Sequence, residues 1–390
     1  MSRASDRQPD ISPDPASGVP TPDTQAGARV PRPHLQLPCQ PATAAAPADP
    51  PFVTVIIPCR NEREYIVRAL DSISHAEYPS RRLEVLVVDG MSDDGTAELV
   101  REYARRHANV RVVENPSRTV PPGLNAGITE ARGDVIMRMD AHVEYPPEYV
   151  PRLVRWLEET GAENVGAACV TRPGASTPMA RAIAAALSHP LGVGGSRFRL
   201  GTRRLRDVDT VPFGCFPRRV FDRFGRFDEE LTRNQDDEFN HRIVRGGGRV
   251  LLVPDVVSYY YARPTLHQLA RMFFQYGVFK PLAARKVGRI TTLRQLAPPT
   301  AVGAAVALGL CGIWSEGARI GWLAGAAAYG VLVAAAAGAV GRRAGGAVAL
   351  RLLVAFPGIH ASYGLGYWLG LLRLAFRRRP RKAQDLPLSR

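Results

Sequence analysis

Four apolar runs, separated by segments of helical period, constrain the fold of this chain more than any other feature. Phe52-Val53-Thr54-Val55-Ile56-Ile57-Pro58 is rich in β-branched residues and closed by proline, so it reads as a buried strand. Leu83 to Asp89, Val110 to Val113 and Asp134 to Met139 repeat the pattern. Between them, Tyr65–Ile73, Thr96–Arg106 and Leu124–Ala131 carry apolar residues at helical spacing. Alternation of this kind predicts an α/β fold: a mostly parallel sheet with right-handed crossovers, flanked by helices. The carboxyl ends of such strands share one rim, and open sheets bind ligands there.

The alternation continues downstream. Tyr149–Glu159 predicts an amphipathic helix, Val165–Val170 a strand and Ala180–Leu187 a helix. Gly192 to Arg206 reads as a mobile loop rich in glycine and arginine. Val208–Phe213 predicts another strand and Arg218–Phe224 a helix. Asn234 opens a helix through Arg245, which Gly246-Gly247-Gly248 ends before a last strand, Arg249–Val253. Asn61 is placed to cap the first helix.

Chemistry gathers at the predicted rim. Asp140-Ala141-His142 follows the fourth strand, and a carboxylate and an imidazole two residues apart on extended backbone share a face. Both can point at one divalent cation. Asp89 closes the second strand, and Asp236-Asp237 lies in the first turn of the helix after Asn234. Each acid alone is better explained as a turn or capping group. Together they suit a phosphate-bearing substrate, with or without a cation. No Gly-x-Gly-x-x-Gly follows the first strand and no Gly-x-x-x-x-Gly-Lys occurs, so the usual dinucleotide and P-loop fingerprints are absent.

The flanks differ from this centre. Residues 1–51, rich in Pro, Ala, Asp and Ser with no apolar run behind the first basic residues, read as a disordered tail and not as a secretory signal. After Pro264 the chain turns apolar. Leu266 to Lys286 interleaves Leu, Phe and Tyr with Arg and Lys, the pattern of an interfacial helix within a segment 265–297. The segment 298–376 then holds membrane-associated helices. Thr300–Trp314 is apolar but short for a span, and Ile320–Val340 is long enough. Gly345–Phe376, interrupted by Arg351, Pro357, His360 and Arg373, leaves a span, a re-entrant segment and an interfacial element open, and two spans plus a re-entrant or interfacial third element is the expected arrangement. Two spans would leave Arg342-Arg343 and the basic tail 377–390 on the cytoplasmic side with the domain 52–264. The formal charge of +15 belongs with these apolar segments and points to anionic lipid. Nucleic acid fits poorly, because no aromatic stacking motif accompanies the basic residues. Five scattered cysteines suggest neither a zinc site nor a disulfide framework.

Five motifs in order carry a resemblance. Pro58-Cys59-Arg60-Asn61-Glu62, Val87-Val88-Asp89-Gly90-Met91-Ser92-Asp93-Asp94-Gly95-Thr96, Gly123-Leu124-Asn125-Ala126-Gly127, Asp140-Ala141-His142 and Gln235-Asp236-Asp237-Glu238-Phe239-Asn240-His241-Arg242 resemble the family 2 glycosyltransferases. The likeness is to the membrane-associated branch typified by succinoglycan-biosynthesis enzymes, over about residues 52–286. It implies a GT-A type fold and sugar transfer from a nucleotide-linked donor, a UDP-sugar in the first place, to a lipid-linked saccharide at the membrane. Asp89 then matches the acid that binds uracil, with Pro58, Glu62 and Asn125 lining the nucleoside. Asp140 would hold ribose or metal. His142 stands where the family's Asp-x-Asp motif has its second carboxylate, which favours Mn²⁺ over Mg²⁺. Asp236 matches the base of the family's Glu-Asp pair; Gln235 replaces the glutamate, and Asp237 is the reserve candidate. Gln268-Leu269-Ala270-Arg271-Met272 resembles the Gln-x-x-Arg-Trp of processive synthases without its aromatic face, and single addition is the expected mode. Arg197, Arg199, Arg203 and Arg204 could clamp phosphate or form a solvated loop. Transfer to polyprenyl phosphate or a ceramide-type lipid, and a non-catalytic sugar-nucleotide-binding protein, stay open at this point.

Overall fold

The computed structural model describes residues 49–288 and 293–376. Almost all of the amino-terminal tail and the whole basic cluster after residue 376 lie outside the described residues. The described chain begins with β1 (Val53–Cys59), α1 (Ile66–Ser74), β2 (Leu83–Asp89), α2 (Thr96–Arg106), β3 (Val110–Glu114), α3 (Val120–Glu130) and β4 (Val135–Arg138). It continues through β5 (Val143–Glu144), α4 (Tyr149–Thr160), β6 (Asn164–Pro173), α5 (Pro178–Leu187), α6 (Pro190–Val193), α7 (Arg197–Leu200) and β7 (Arg206–Asp207). Then follow β8 (Cys215–Pro217), α8 (Arg219–Phe224), α9 (Gln235–Arg245), β9 (Val250–Ala262) and α10 (Leu266–Val287). Three helices close the described chain: α11 (Ala297–Cys311), α12 (Glu316–Ala344) and α13 (Gly346–Ala375).

The strands form one mixed sheet in the order β3-β2-β1-β4-β8-β6-β9-β5, with β7 on β9. The half expected from the sequence, β3-β2-β1-β4, is parallel throughout. Beyond it β8 runs antiparallel to β4 and β6, β6 and β9 pair in parallel, and β5 and β7 run antiparallel to β9. Val208–Phe213, expected as a strand, is not one; the short strands β7 and β8 lie on either side of it. The last strand is longer than expected, because alternation resumes after Pro254 through Tyr259, Tyr260 and Tyr261. The arginine-rich stretch expected as a loop holds two single-turn helices, α6 and α7.

Period-two alternation sends successive residues of each strand to opposite faces. Val55 and Ile57 of β1, with Val85 and Val87 of β2, pack under α1, α4 and α5 through Leu70, Leu153 and Ile183. Ile56, Leu86 and Val88 pack on the other face with Leu124 and Ile128 of α3 and Phe239 and Ile243 of α9. Three layers result. Cys59, Cys169 and Cys215 are buried thiols, and burial pushes Cys169 up to about 11, so it is a core residue with little thiolate character.

Asn61 does not cap α1: its backbone lies at φ +55°, and Tyr65 takes the N-cap position. Helix α10 turns Leu269, Met272, Val278 and Phe279 inward, and α13 packs along it. The two approach backbone to backbone. A Cβ on Gly277 would sit 2.2 Å from the Tyr363 carbonyl oxygen, and one on Gly366 2.2 Å from that of Phe274. Helices α12 and α13 are long and apolar enough to cross a membrane. The 15 residues of α11 rise only about 22 Å, short of a hydrocarbon core of about 30 Å. Among the described residues the two candidate spans are therefore α12 and α13, the latter a stretch whose sequence left spanning, re-entrant and interfacial placements open.

Gly277→Val should force α10 and α13 apart and cost about 1–3 kcal/mol, read as a lower unfolding midpoint of the purified full chain. Gly330→Val in α12, where nothing lies within 4 Å of the added carbon, should leave the midpoint in place. Equal effects at the two glycines would contradict the packing described.

Candidate active site

Three parallel strands bring the site together. The register pairs Cys59 with Asp89 and Ile56 with Arg138, so β1, β2 and β4 end on one rim. Pro58 is half-buried at the end of β1, and Asp89 is buried at the end of β2. Asp89 shapes its own turn: Ser92 donates to its carboxylate through Oγ at 2.5 Å and through N–H at 3.1 Å. The same Ser92 hydroxyl accepts from the Asn61 N–H at 3.0 Å, and the Asn61 side chain exchanges hydrogen bonds with Asp93. The Glu62 N–H donates to Thr96 Oγ1 at 2.9 Å. The loops after β1 and β2 are thus joined. Asn61 at φ +55° and Met91 at +56° are left-handed, a conformation that costs free energy outside glycine and collects at functional loops.

Glu62 reaches across this junction to the Asp140-Ala141-His142 corner. His142 Nδ1 lies 3.4 Å from Glu62 Oε1, and the ring meets Tyr260 edge-on at 5.3 Å. Burial pushes the His142 pKa down to about 4; Arg263, Arg233 and Arg138 add to the effect and Asp140 opposes it. The imidazole is therefore neutral at physiological pH, and its approach to Glu62 is not an ion pair.

Arg138, which the sequence hid inside an apolar run, organises the remainder. Its guanidinium forks onto Asp140, Nε to Oδ1 at 3.1 Å and Nη2 to Oδ2 at 3.4 Å. The Arg138 Nη1 is buried without a hydrogen-bond partner among the described residues. It also lines a small cavity with Asp236. Burial pushes the half-buried Asp236 carboxyl above its ordinary value, with the charge of Asp237 adding to it, while Arg138 and Lys280 pull it down. Asp237 differs from Asp236 in being held by the ammonium of Lys280. A guanidinium in a buried strand demands anionic partners, and that rule was the signal available in the sequence.

Not every expected residue meets this site. Asn125 donates to the Phe227 carbonyl and to Glu229 Oε1, each at 2.9 Å, and accepts the Phe227 N–H at 3.0 Å. Its amide anchors the 227–229 segment on α3. Arg197, Arg203 and Arg204 are exposed, whereas Arg199 lies over the Tyr260 ring at 5.2 Å and bonds Thr171 at 3.3 Å. Met272 is buried and accepts from the Tyr260 hydroxyl, so the position offers no sugar platform.

Among the described residues no three His, Cys, Asp or Glu gather in metal-binding geometry. Asp140 and neutral His142 make a donor set of two, which fits a divalent cation that takes its other ligands from a diphosphate. Asp140 would then be shared between that cation and Arg138.

The comparisons with known proteins agree with this architecture. The sequence pattern described as Glycosyl transferase family 2 matches residues 54–225. The succinoglycan biosynthesis protein ExoA of Rhizobium meliloti (strain 1021) is 31% identical over 332 residues, 83% of this chain and 96% of its own length. A dolichyl N-acetyl-α-D-glucosaminyl phosphate 3-β-D-2,3-diacetamido-2,3-dideoxy-β-D-glucuronosyltransferase of Methanococcus voltae is 27% identical over 60% of this chain and 74% of its own. Among solved structures, the mannosyltransferase PcManGT of Pyrobaculum calidifontis, in complex with GDP-Man and Mn²⁺, superposes with a TM-score of 0.53 at 24% identity. That superposition covers 85% of this chain and 90% of the mannosyltransferase. The fold is of the GT-A type, and the molecule is a transferase. The chain belongs to the family 2 glycosyltransferases.

Replacing Arg138 by Met should cost about 2–4 kcal/mol of folding stability, because Asp140 and Asp236 lose their counter-charge in a shielded place. The double variant Arg138→Met/Asp140→Asn should recover part of that loss in a chemical unfolding cycle. A loss near zero, with no coupling between the two sites, would class the pair with solvent-exposed ion pairs.

Proposed function

We propose that this chain is an inverting transferase that moves a sugar from a nucleotide-linked donor, a UDP-sugar in the first place, to a lipid-linked acceptor during exopolysaccharide or cell-envelope glycan assembly. The observation that carries the reading is the convergence of two acids on Arg138: its guanidinium holds Asp140, and it lines a small cavity with Asp236. In the proposed reaction Asp236 accepts the proton of the acceptor hydroxyl as that oxygen attacks the anomeric carbon. The bond from that carbon to the diphosphate oxygen breaks, and the nucleoside diphosphate leaves with the electron pair. One displacement inverts the configuration, so no enzyme nucleophile is required.

Asp89 and Glu62 are assigned to the nucleoside, with Pro58 beside them, and the turn built on Ser92 supports the placement of Asp89. Asp140 and His142 are assigned to a divalent cation, Mn²⁺ or Mg²⁺, whose chemistry when bound is to neutralise charge on the departing diphosphate. Arg138 brings a fixed positive charge to the same side and holds Asp140 in place. The relative whose name specifies a dolichyl-linked phosphate saccharide supports a lipid-linked acceptor. Candidate spans α12 and α13 support anchoring of the enzyme at a membrane, with the catalytic part on the cytoplasmic side.

Asp236→Asn should lower kcat by about 10²–10⁴-fold while donor binding, measured by calorimetry with a nonhydrolysable UDP-sugar, stays within a few-fold of the parent. Turnover at the parental rate would remove Asp236 from the reaction. Extracting the radiolabelled product into the lipid phase tests the acceptor class in the same preparation.

A further inference from the structure

The acid pair at the start of α9 is held from outside the sheet. Lys280 lies in the middle of α10 with 5% of its surface exposed, and its ammonium contacts the Asp237 carboxylate. Asp237 in turn donates its backbone N–H to Asp236 Oδ1 at 3.0 Å. A lysine buried at this depth is costly, and a well-packed apolar residue is often as stable or more so at such a place. Further bonds from α10 reach the same segment. The Tyr276 carbonyl accepts from Asn234 Nδ2 at 3.2 Å, and Gln275 Oε1 accepts from Arg233 at 3.2 Å. Lys286 pairs with Asp228 and Glu230, each at 2.6 Å. Residues 228–237 are thereby strapped to α10, and α10 is fixed to the candidate span α13 through Gly277, Gly366 and Gly370.

We propose that Lys280 is a positioning residue for the transfer reaction: by neutralising Asp237 it sets the proton affinity of Asp236, and it does so from a helix whose place depends on α13. The inference rests on the assignment of Asp236 as base made above. Asp236 is faced by Asp237 on its own helix, Arg138 on β4 and Lys280 on α10, while Tyr363 of α13 faces Asp237. With Lys280 in place the negative charge of Asp237 is compensated, so Asp236 stays deprotonated to lower pH. Without it, Asp236 is left beside an uncompensated carboxylate in a shielded site and holds its proton to higher pH. The Lys280 charge is the element of this set that links base chemistry to the membrane helices.

The test is the pH dependence of kcat/KM for the full-length protein in lipid, in a four-variant set. Lys280→Met should move the acid limb up by about 1 pH unit, and Lys280→Arg should keep it at the parental position. Asp237→Asn should move the limb down, and the double variant Asp237→Asn/Lys280→Met should return it close to the parent. An acid limb that stays put in both Lys280→Met and Asp237→Asn, with unchanged unfolding midpoints, overturns the proposal. If Lys280→Met does not fold, a limb lowered in Asp237→Asn and returned to the parental position in the double variant supports the proposal, and limbs at one position in both overturn it. Asp236→Asn is carried as the fifth sample. Activity in that variant defeats the assignment of the base, whereas an inactive Asp236→Asn with unmoved limbs elsewhere defeats the role of Lys280 alone.

Discussion

The fork of Arg138 onto Asp140, beside the small cavity that Arg138 lines with Asp236, is the interaction on which the site depends. It brings the end of β4 and the start of α9 to one place, and these come from segments almost a hundred residues apart. A guanidinium can do this because its donors spread in a plane, so two carboxylates can be served from two sides. Around that charge the remaining parts fall into two groups. Toward β2 lie Asp89, Ser92, Asn61 and Glu62, tied by backbone and side-chain hydrogen bonds into one rigid corner. Toward α10 lie Asp237 and Lys280.

Much of this was legible in the sequence, and the reason is local. Strands β1 to β4 announce themselves by unbroken β-branched or apolar runs, and the acids follow directly where the runs stop, so their place on the rim is set by parallel pairing. What the sequence concealed is long-range. Asn125 looks like a binding residue within its motif, yet its amide is consumed by Phe227 and Glu229, about a hundred residues away. Arg138 passes for one polar slip in an apolar run until its partners are in place. Lys280 reads as the basic face of an amphipathic helix, and only the packing of α13 beside α10 turns it inward. Strand β8 is three residues long and carries too little periodicity to be seen.

The membrane side and the chemical side of the molecule are therefore not independent modules. Helix α10, which the sequence assigns to a lipid surface, has one face on α13 and another on the segment that bears the acid pair. Close approach without side chains at Gly277, Gly366 and Gly370 leaves little slack in that contact, since each glycine meets backbone atoms of the partner helix. Charge on the acid pair and seating of the helices are coupled by geometry alone. This gives a physical reason for the sheet to carry its own apolar helices, beyond the membrane anchoring proposed above.

The central claim is that one carboxylate, Asp236, acts as a base in a single displacement at the anomeric carbon. The configuration of the first-formed product reports on it most directly. Transfer from an α-linked nucleotide sugar, followed by proton NMR of the new glycosidic linkage, should give the β-anomer. Formation of the α-anomer would require a second displacement and a nucleophile that this account does not contain.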